Sequence, residues 1–125
     1  METATIETFR SLDEFTLQYL DTALWLSHDD DDTPLDQEYG ITDMCAATVA
    51  RAIADCSKFQ IDHESDLEEL PESSAGHCFW LTRNSHGTGF WDRGLGDDGR
   101  LTKASEKFGP INLHVEDGVV VGYPG

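Results

Sequence analysis

His77-Cys78-Phe79-Trp80-Leu81-Thr82-Arg83-Asn84-Ser85-His86-Gly87-Thr88-Gly89-Phe90-Trp91-Asp92-Arg93-Gly94 is the stretch on which the fold class turns. Cys78 to Arg83 is rich in aromatic and β-branched residues, the strand formers. Asn84 to Gly89 is turn chemistry: glycine supplies positive φ, and Asn and Ser side chains bond their own backbone. Phe90-Trp91-Asp92-Arg93 then reads as a returning strand. Taken by itself, the stretch predicts an antiparallel hairpin beginning where the preceding chain stops looking helical.

Toward the C-terminus, Gly94-Leu95-Gly96-Asp97-Asp98-Gly99 reads as a loop. Leu101, Ala104 and Phe108 then give a short helix closed by Gly109-Pro110. Ile111 to Val115 alternates apolar and polar residues, and Val119 to Tyr123 follows Asp117-Gly118, a dipeptide that favours tight hairpins. The loop at 94–99 matches G-x-G-x-x-G between a strand and a helix, which invites a dinucleotide-binding reading. The chemistry opposes it. Asp97 and Asp98 would stand where a pyrophosphate meets a helix N-terminus, and 26 residues after Gly99 are too few for a doubly wound sheet.

Upstream, Ser11-Leu12-Asp13-Glu14 fits a capping box, with Ser11 as cap and Glu14 at the third helical position. Leu12, Phe15, Tyr19, Ala23 and Leu26 continue at helical spacing, which predicts a helix over 12–27 with Leu20, Leu24 and Trp25 beside its stripe. Residues 28–41 read as a loop. Thr42 or Asp43 caps a second helix ending near Gln60, whose buried side is Cys45, Val49, Ala52, Ile53, Cys56 and Phe59. A short acidic helix or turn, capped by Ser65, covers Ser65–Leu70. Pro71-Glu72-Ser73-Ser74-Ala75-Gly76 looks like a linking loop. The expected architecture is one α+β domain over residues 1–125. Two N-terminal helices pack on a small, mostly antiparallel sheet of about four strands, with one short helix inserted.

A chain of 125 residues is long enough for a core, and three Trp, three Tyr and six Phe supply it. No apolar run approaches the ~18 residues of a membrane span. Nothing at the N-terminus resembles a leader, so the expected location is the cytoplasm. Cys45, Cys56 and Cys78 are odd in number and form no C-x-x-C pair, which argues for small buried residues rather than a disulfide framework or zinc knuckle.

The charge is unevenly placed. Residues 1–76 hold 19 acids and 3 bases, whereas residues 77–125 hold 6 acids and 5 bases, within a net charge of −17. Two concentrations stand out: Asp29, Asp30, Asp31 and Asp32, and the cluster Glu64, Asp66, Glu68, Glu69 and Glu72. Such a field repels nucleic acid and anionic membranes and attracts basic surfaces. It is consistent with a solvated surface that aids solubility, with imitation of a phosphate backbone, or with adaptation to high salt. These acids are the expected partner-binding residues, and the expected partner is a basic protein rather than nucleic acid or membrane.

Chemistry-bearing residues cluster between His77 and Gly94. His86 and Asp92, flanking the expected hairpin, are the catalytic candidates as an acid–base pair. Arg83 and Arg93 could grip an anion or clamp a carboxylate, or simply pair with Asp92 to fix the loop. A metal set drawn from His77, Cys78, His86 and Asp92 fits no usual ligand spacing, so no metal or other cofactor is expected.

The run from Phe79 to Gly94, with Trp80, Arg83, Asn84, His86, Gly87, Gly89, Trp91, Asp92 and Arg93 as its distinctive positions, resembles the hallmark of a family of small bacteriophage and prophage proteins. That family usually has Gly at the place of Ser85 and Ala or Thr at that of Thr88. The resemblance extends more loosely to Ala23-Leu24-Trp25, Pro34-Leu35-Asp36, Asp55-Cys56 and the closing hairpin. It implies a phage context and assigns no role to any residue. Cys78 stands where the family has an acidic residue, which speaks against a chemical role there. Size, acidity and phage context together suggest a stoichiometric inhibitor of a host defence or DNA-processing protein, with host restriction enzymes, CRISPR effectors and repair nucleases as candidate classes. An enzyme or ligand binder built on His86, Asp92 and Arg93, and a phage accessory or structural protein, are the alternatives.

Overall fold

The computed structural model describes residues 2–28, 31–68, 70–84 and 100–124. Along them run α1 (Ile6–Arg10), α2 (Glu14–Leu26), two 3-10 turns (Leu35–Gln37 and Ile41–Asp43), α3 (Ala46–Asp62), α4 (Glu64–Leu67), α5 (Glu72–Arg83), α6 (Arg100–Lys107), β1 (Ile111–Glu116) and β2 (Val119–Pro124). The α+β class stands, but the sheet is smaller than expected. Among the described residues it has two strands, β1 and β2, paired antiparallel from Ile111 opposite Pro124 to Glu116 opposite Val119. Two further segments touch it or its neighbour through single bridges, Met44 beside Val120 and Thr3 beside Cys45, without becoming strands. The hairpin turn is as the sequence predicts, with Asp117 at φ 52° and Gly118 at φ 78°, the left-handed pair that a two-residue turn between twisted strands needs.

The main correction is at residues 71–83. The expected loop and first strand form one helix, α5, with Pro71 at its N-cap and Glu72 in its first turn. Ala75, Gly76 and every residue from Cys78 to Arg83 are buried. A helix enclosed on nearly all sides has no polar face to show a period, so its aromatic and β-branched residues mimic a strand. The expected returning strand at Phe90–Arg93 and the loop at 94–99 lie outside the described residues.

Smaller corrections concern caps. Ser11 does not open α2. It closes α1, its N–H bonding the carbonyls of Glu7 and Thr8 and its hydroxyl donating to Thr8 O at 2.7 Å. Asp13 is the cap of α2, its carboxylate accepting from Thr16 N at 2.8 Å. Burial works against its ionisation, but the hydrogen bonds from Thr16 and Gln60 outweigh that and hold its pKa below the ordinary value. Asp43 accepts from Gly40 N to close a 3-10 turn, so Cys45 stands at the N-cap of α3, which runs two residues past Gln60. Ser65 lies inside α4, whose N-cap is His63.

α5 lies against α2 at close range. A Cβ at Gly76 would drive into the Phe15 carbonyl oxygen, so only glycine permits this approach. Around the crossing sits an aromatic core. Phe59 and Phe79 stack with centroids 4.3 Å apart, Phe108 meets Phe79 edge-on at 5.1 Å, and Tyr19 packs on Phe79 and Trp80. Cys56 and Cys78 are buried among these rings, and burial pushes the Cys56 thiol well above its ordinary pKa, leaving it an inert core group.

Arg83 ends α5 inside this core with only 2% of its surface exposed. Its Nη1 donates to Asp55 Oδ2 and to the Tyr19 hydroxyl, both at 2.9 Å, its Nε to Gly109 O at 2.8 Å and its Nη2 to Phe108 O at 2.9 Å. The guanidinium also lies 5.5 Å from the centroids of both the Phe79 and Phe108 rings. Asn84 continues the clamp, donating to Trp80 O at 2.9 Å and accepting from Ile111 N at 2.8 Å. On the other side, Thr48 of α3 accepts from Gly122 N of β2 at 2.9 Å.

Replacing Arg83 by Leu should destabilise the domain by about 3–5 kcal/mol, because the Asp55 carboxylate, a phenol and two carbonyls lose their donor together. Lysine should recover little of this, since one ammonium cannot span four acceptors arranged for a planar fork. Gly76→Ala should cost about 1–3 kcal/mol or more, as the obstructing atom is backbone and cannot rotate away. Urea denaturation of each variant measures both effects; a change below about 1 kcal/mol in either would contradict this account of the core.

Candidate functional site

The described carboxylates of the acidic half face water. None is buried, and only Asp43, Asp55 and Asp66 are half-buried. Asp31 and Asp32 are exposed beside the turn that leads to Pro34, and Glu64, Glu68 and Glu72 are exposed along α4 and the start of α5. Asp66 turns toward His63, its Oδ2 3.9 Å from Nδ1. Asp29, Asp30 and Glu69 lie outside the described residues. Of the three bases in this half, Arg51 stands 3.7 Å from Asp55 and Lys58 2.9 Å from Asp62. Lys58 is thereby matched to Asp62, whereas Asp55 is shared between Arg51 and the buried Arg83 at 2.9 Å.

Two depressions lie in this surface. One, of about 440 Å³, sits where the end of α3 meets α4 and the start of α5. Phe15, Leu67 and Leu70 form its apolar floor, and Glu64, Glu68 and Glu72 line it. Glu72 is partly engaged, with Oε2 accepting from Phe15 N at 3.3 Å. The other, of about 340 Å³, lies between α2 and the 3-10 turns and brings together Asp21, Asp36, Trp25 and Tyr39. Trp25 is 55% exposed and stacks on His77 of α5, centroids 6.2 Å apart. The His77 Nδ1 and Thr22 Oγ1 are 2.8 Å apart. Helical spacing puts Trp25 beside a packed stripe; it gives Asp21 no role, and Asp36 stands out only within the Pro34-Leu35-Asp36 resemblance. No local motif joins those acids, because a 3-10 turn fifteen residues downstream brings them to one cleft.

Desolvation by the cleft walls around its otherwise exposed carboxyl, and then the charge of Asp36, raise the pKa of Asp21 above the ordinary carboxylate value. The folded state therefore holds this proton more tightly than the unfolded chain does. Asp21's contribution to stability is full below the ordinary carboxylate range and is lost as pH rises through its raised value.

The distinctive motif divides. Trp80, Arg83 and Asn84 are structural: Trp80 is buried, and Arg83 and Asn84 clamp the junction between α6 and β1. Arg83 is enclosed and bonded to Asp55, so it is unavailable to grip an external anion. His86, Gly87, Gly89, Trp91, Asp92 and Arg93 lie outside the described residues, and with them the acid–base pair. Of the metal set weighed from the sequence, His77 bonds Thr22 and Cys78 is enclosed in the core. Among the described residues no group of three or more His, Cys, Asp or Glu is placed to hold a metal, and no helix is long and apolar enough to cross a membrane.

No family model matches the chain, and neither a curated protein nor a solved structure matches it.

Asp21→Asn removes the repulsion from Asp36 and should stabilise the fold slightly at neutral pH, by up to ~0.5 kcal/mol at so exposed a site. The gain should shrink as pH falls below the carboxylate range, where Asp21 is protonated in the parent protein as well. Melting curves of the two proteins across that range test this; a variant less stable than its parent at neutral pH would overturn the electrostatic account of the cleft.

Proposed function

We propose that this protein is a phage-type stoichiometric inhibitor, acting in the host cytoplasm by binding the basic, nucleic-acid-binding surface of a defence or DNA-processing protein of the restriction or CRISPR type. The observation that carries the reading is the solvent-facing acidity of residues 1–76. Their described carboxylates are exposed or half-buried, and they far outnumber the three bases among them, of which Lys58 is bonded to Asp62. A surface of this kind offers a basic groove what a phosphate backbone offers: dense negative charge with few cations among it. Long-range attraction speeds the encounter and weakens with salt. The resemblance of the block Phe79–Gly94 to phage proteins supplies the biological setting.

Immobilised protein should retain a nucleic-acid-binding protein from host lysate. Duplex DNA should compete for that partner, and retention should fall steeply as salt rises from about 0.05 to 0.5 M. Inhibition should saturate at a fixed molar ratio to the target, as expected of an occupant and not of a catalyst. Retention that ignores both DNA and salt would remove the basis for mimicry.

A further inference from the structure

Resting on that reading, we infer that the groove between α3, α4 and α5 is a docking site for one amphipathic basic helix of the partner, with apolar side chains entering the groove and Lys or Arg flanking them. The acidic surface elsewhere attracts any cation. This place adds an apolar floor, so it selects among basic segments.

Three features specify the occupant. Leu67 and Leu70 are half-buried at the floor above the buried Phe15, and Ile61 stands at the edge with 73% of its surface exposed. An isolated exposed isoleucine is ordinary, but one that borders an apolar depression extends it into a surface that gains by being covered. Glu64, Glu68 and Glu72 surround that floor, and none of them forms a salt bridge among the described residues. Lys58, the nearest base along α3, is held by Asp62 at 2.9 Å. The rim therefore calls for positive charge and repels a second copy of its own kind. Finally, the described lining comes from helices and turns, bonded within themselves at Leu67 N to His63 O and Leu70 N to Leu67 O, both at 3.0 Å, and includes no strand edge. An extended segment would find no strand to pair with there, whereas a helix brings its own backbone bonds satisfied and reads the groove through side chains.

The test uses the whole protein and a labelled synthetic helix with leucines along one face and lysines along the other. A scrambled peptide of the same composition and a version with glutamate for lysine serve as comparisons. Fluorescence anisotropy should show the amphipathic basic helix binding about tenfold or more tighter than the scrambled one, and no binding of the acidic one. Ile61→Asp should weaken binding about tenfold, and because Ile61 is exposed the thermal melt should be unchanged. Glu64→Gln with Glu68→Gln should weaken it as well and flatten its salt dependence. Equal affinity for the scrambled peptide, or an Ile61→Asp variant that binds as the parent does, would overturn the groove and leave only general charge attraction. So would a dimer in sedimentation that Ile61→Asp abolishes, which would assign the groove to a second copy of the chain. The broader reading is separable. If Ile61→Asp still retains the lysate partner at full strength while Asp31→Lys with Asp32→Lys loses it, the groove fails and the inhibitor reading stands. If the parent protein retains no nucleic-acid-binding partner at all, the inhibitor reading itself fails.

Discussion

The guanidinium of Arg83 is the point on which the described structure hangs. It is a full positive charge placed in an aromatic core, and it is tolerable there because its fork is spent on four acceptors from three parts of the chain. Asp55 comes from α3, Tyr19 from α2, and the carbonyls of Phe108 and Gly109 from the end of α6. One side chain thereby ties the two long N-terminal helices to the start of the hairpin. Phe79 and Phe108 lie against the guanidinium, so the hydrogen-bonded network and the ring packing support one another. The close approach of α5 to α2 at Gly76 completes the arrangement, since a wider crossing would move Arg83 away from Tyr19.

This division of labour leaves the acidic half at the surface. The core uses Asp55 for charge neutralisation, Asp13, Asp43 and Glu72 accept from backbone N–H groups, and most of the other described carboxylates of this half are exposed. Many like charges on one small surface oppose the compact state. Asp21 shows this locally: its pKa is raised by desolvation and by Asp36, so the fold carries a repulsion that it does not need for packing. The apolar groove beneath Glu64, Glu68 and Glu72 gives one part of that surface a shape as well as a sign.

Much of the chain was legible residue by residue. The helical stripe Phe15, Tyr19, Ala23 reads directly, as do Val49, Ala52, Cys56 and Phe59, because each of these helices buries one face and keeps the 3.6-residue period. The closing hairpin reads from Asp117-Gly118, because only a left-handed pair joins two twisted strands in so short a turn. Ser11 misled because a capping box is a local pattern, and α1 claimed that serine for its own end. The acidic character and its confinement to residues 1–76 were also plain, since charge is a property of composition. The clefts were not, for their walls come from segments distant in sequence.

Sequence alone determined the class, the principal N-terminal helices, the final hairpin and the sign and location of the charge, all properties carried by local pattern or by counting. The tertiary structure decided the rest. It made Cys78–Arg83 a helix instead of a strand, since a segment enclosed on nearly every side loses the polar face that would announce its period. It turned Arg83 from a candidate anion grip into a buried tie, since its partners Tyr19, Asp55 and Gly109 are 64, 28 and 26 residues away along the chain. Local propensity is read within a few residues, but where a polar group finds its partners, and so whether it serves the core or a ligand, is settled only when the chain closes on itself.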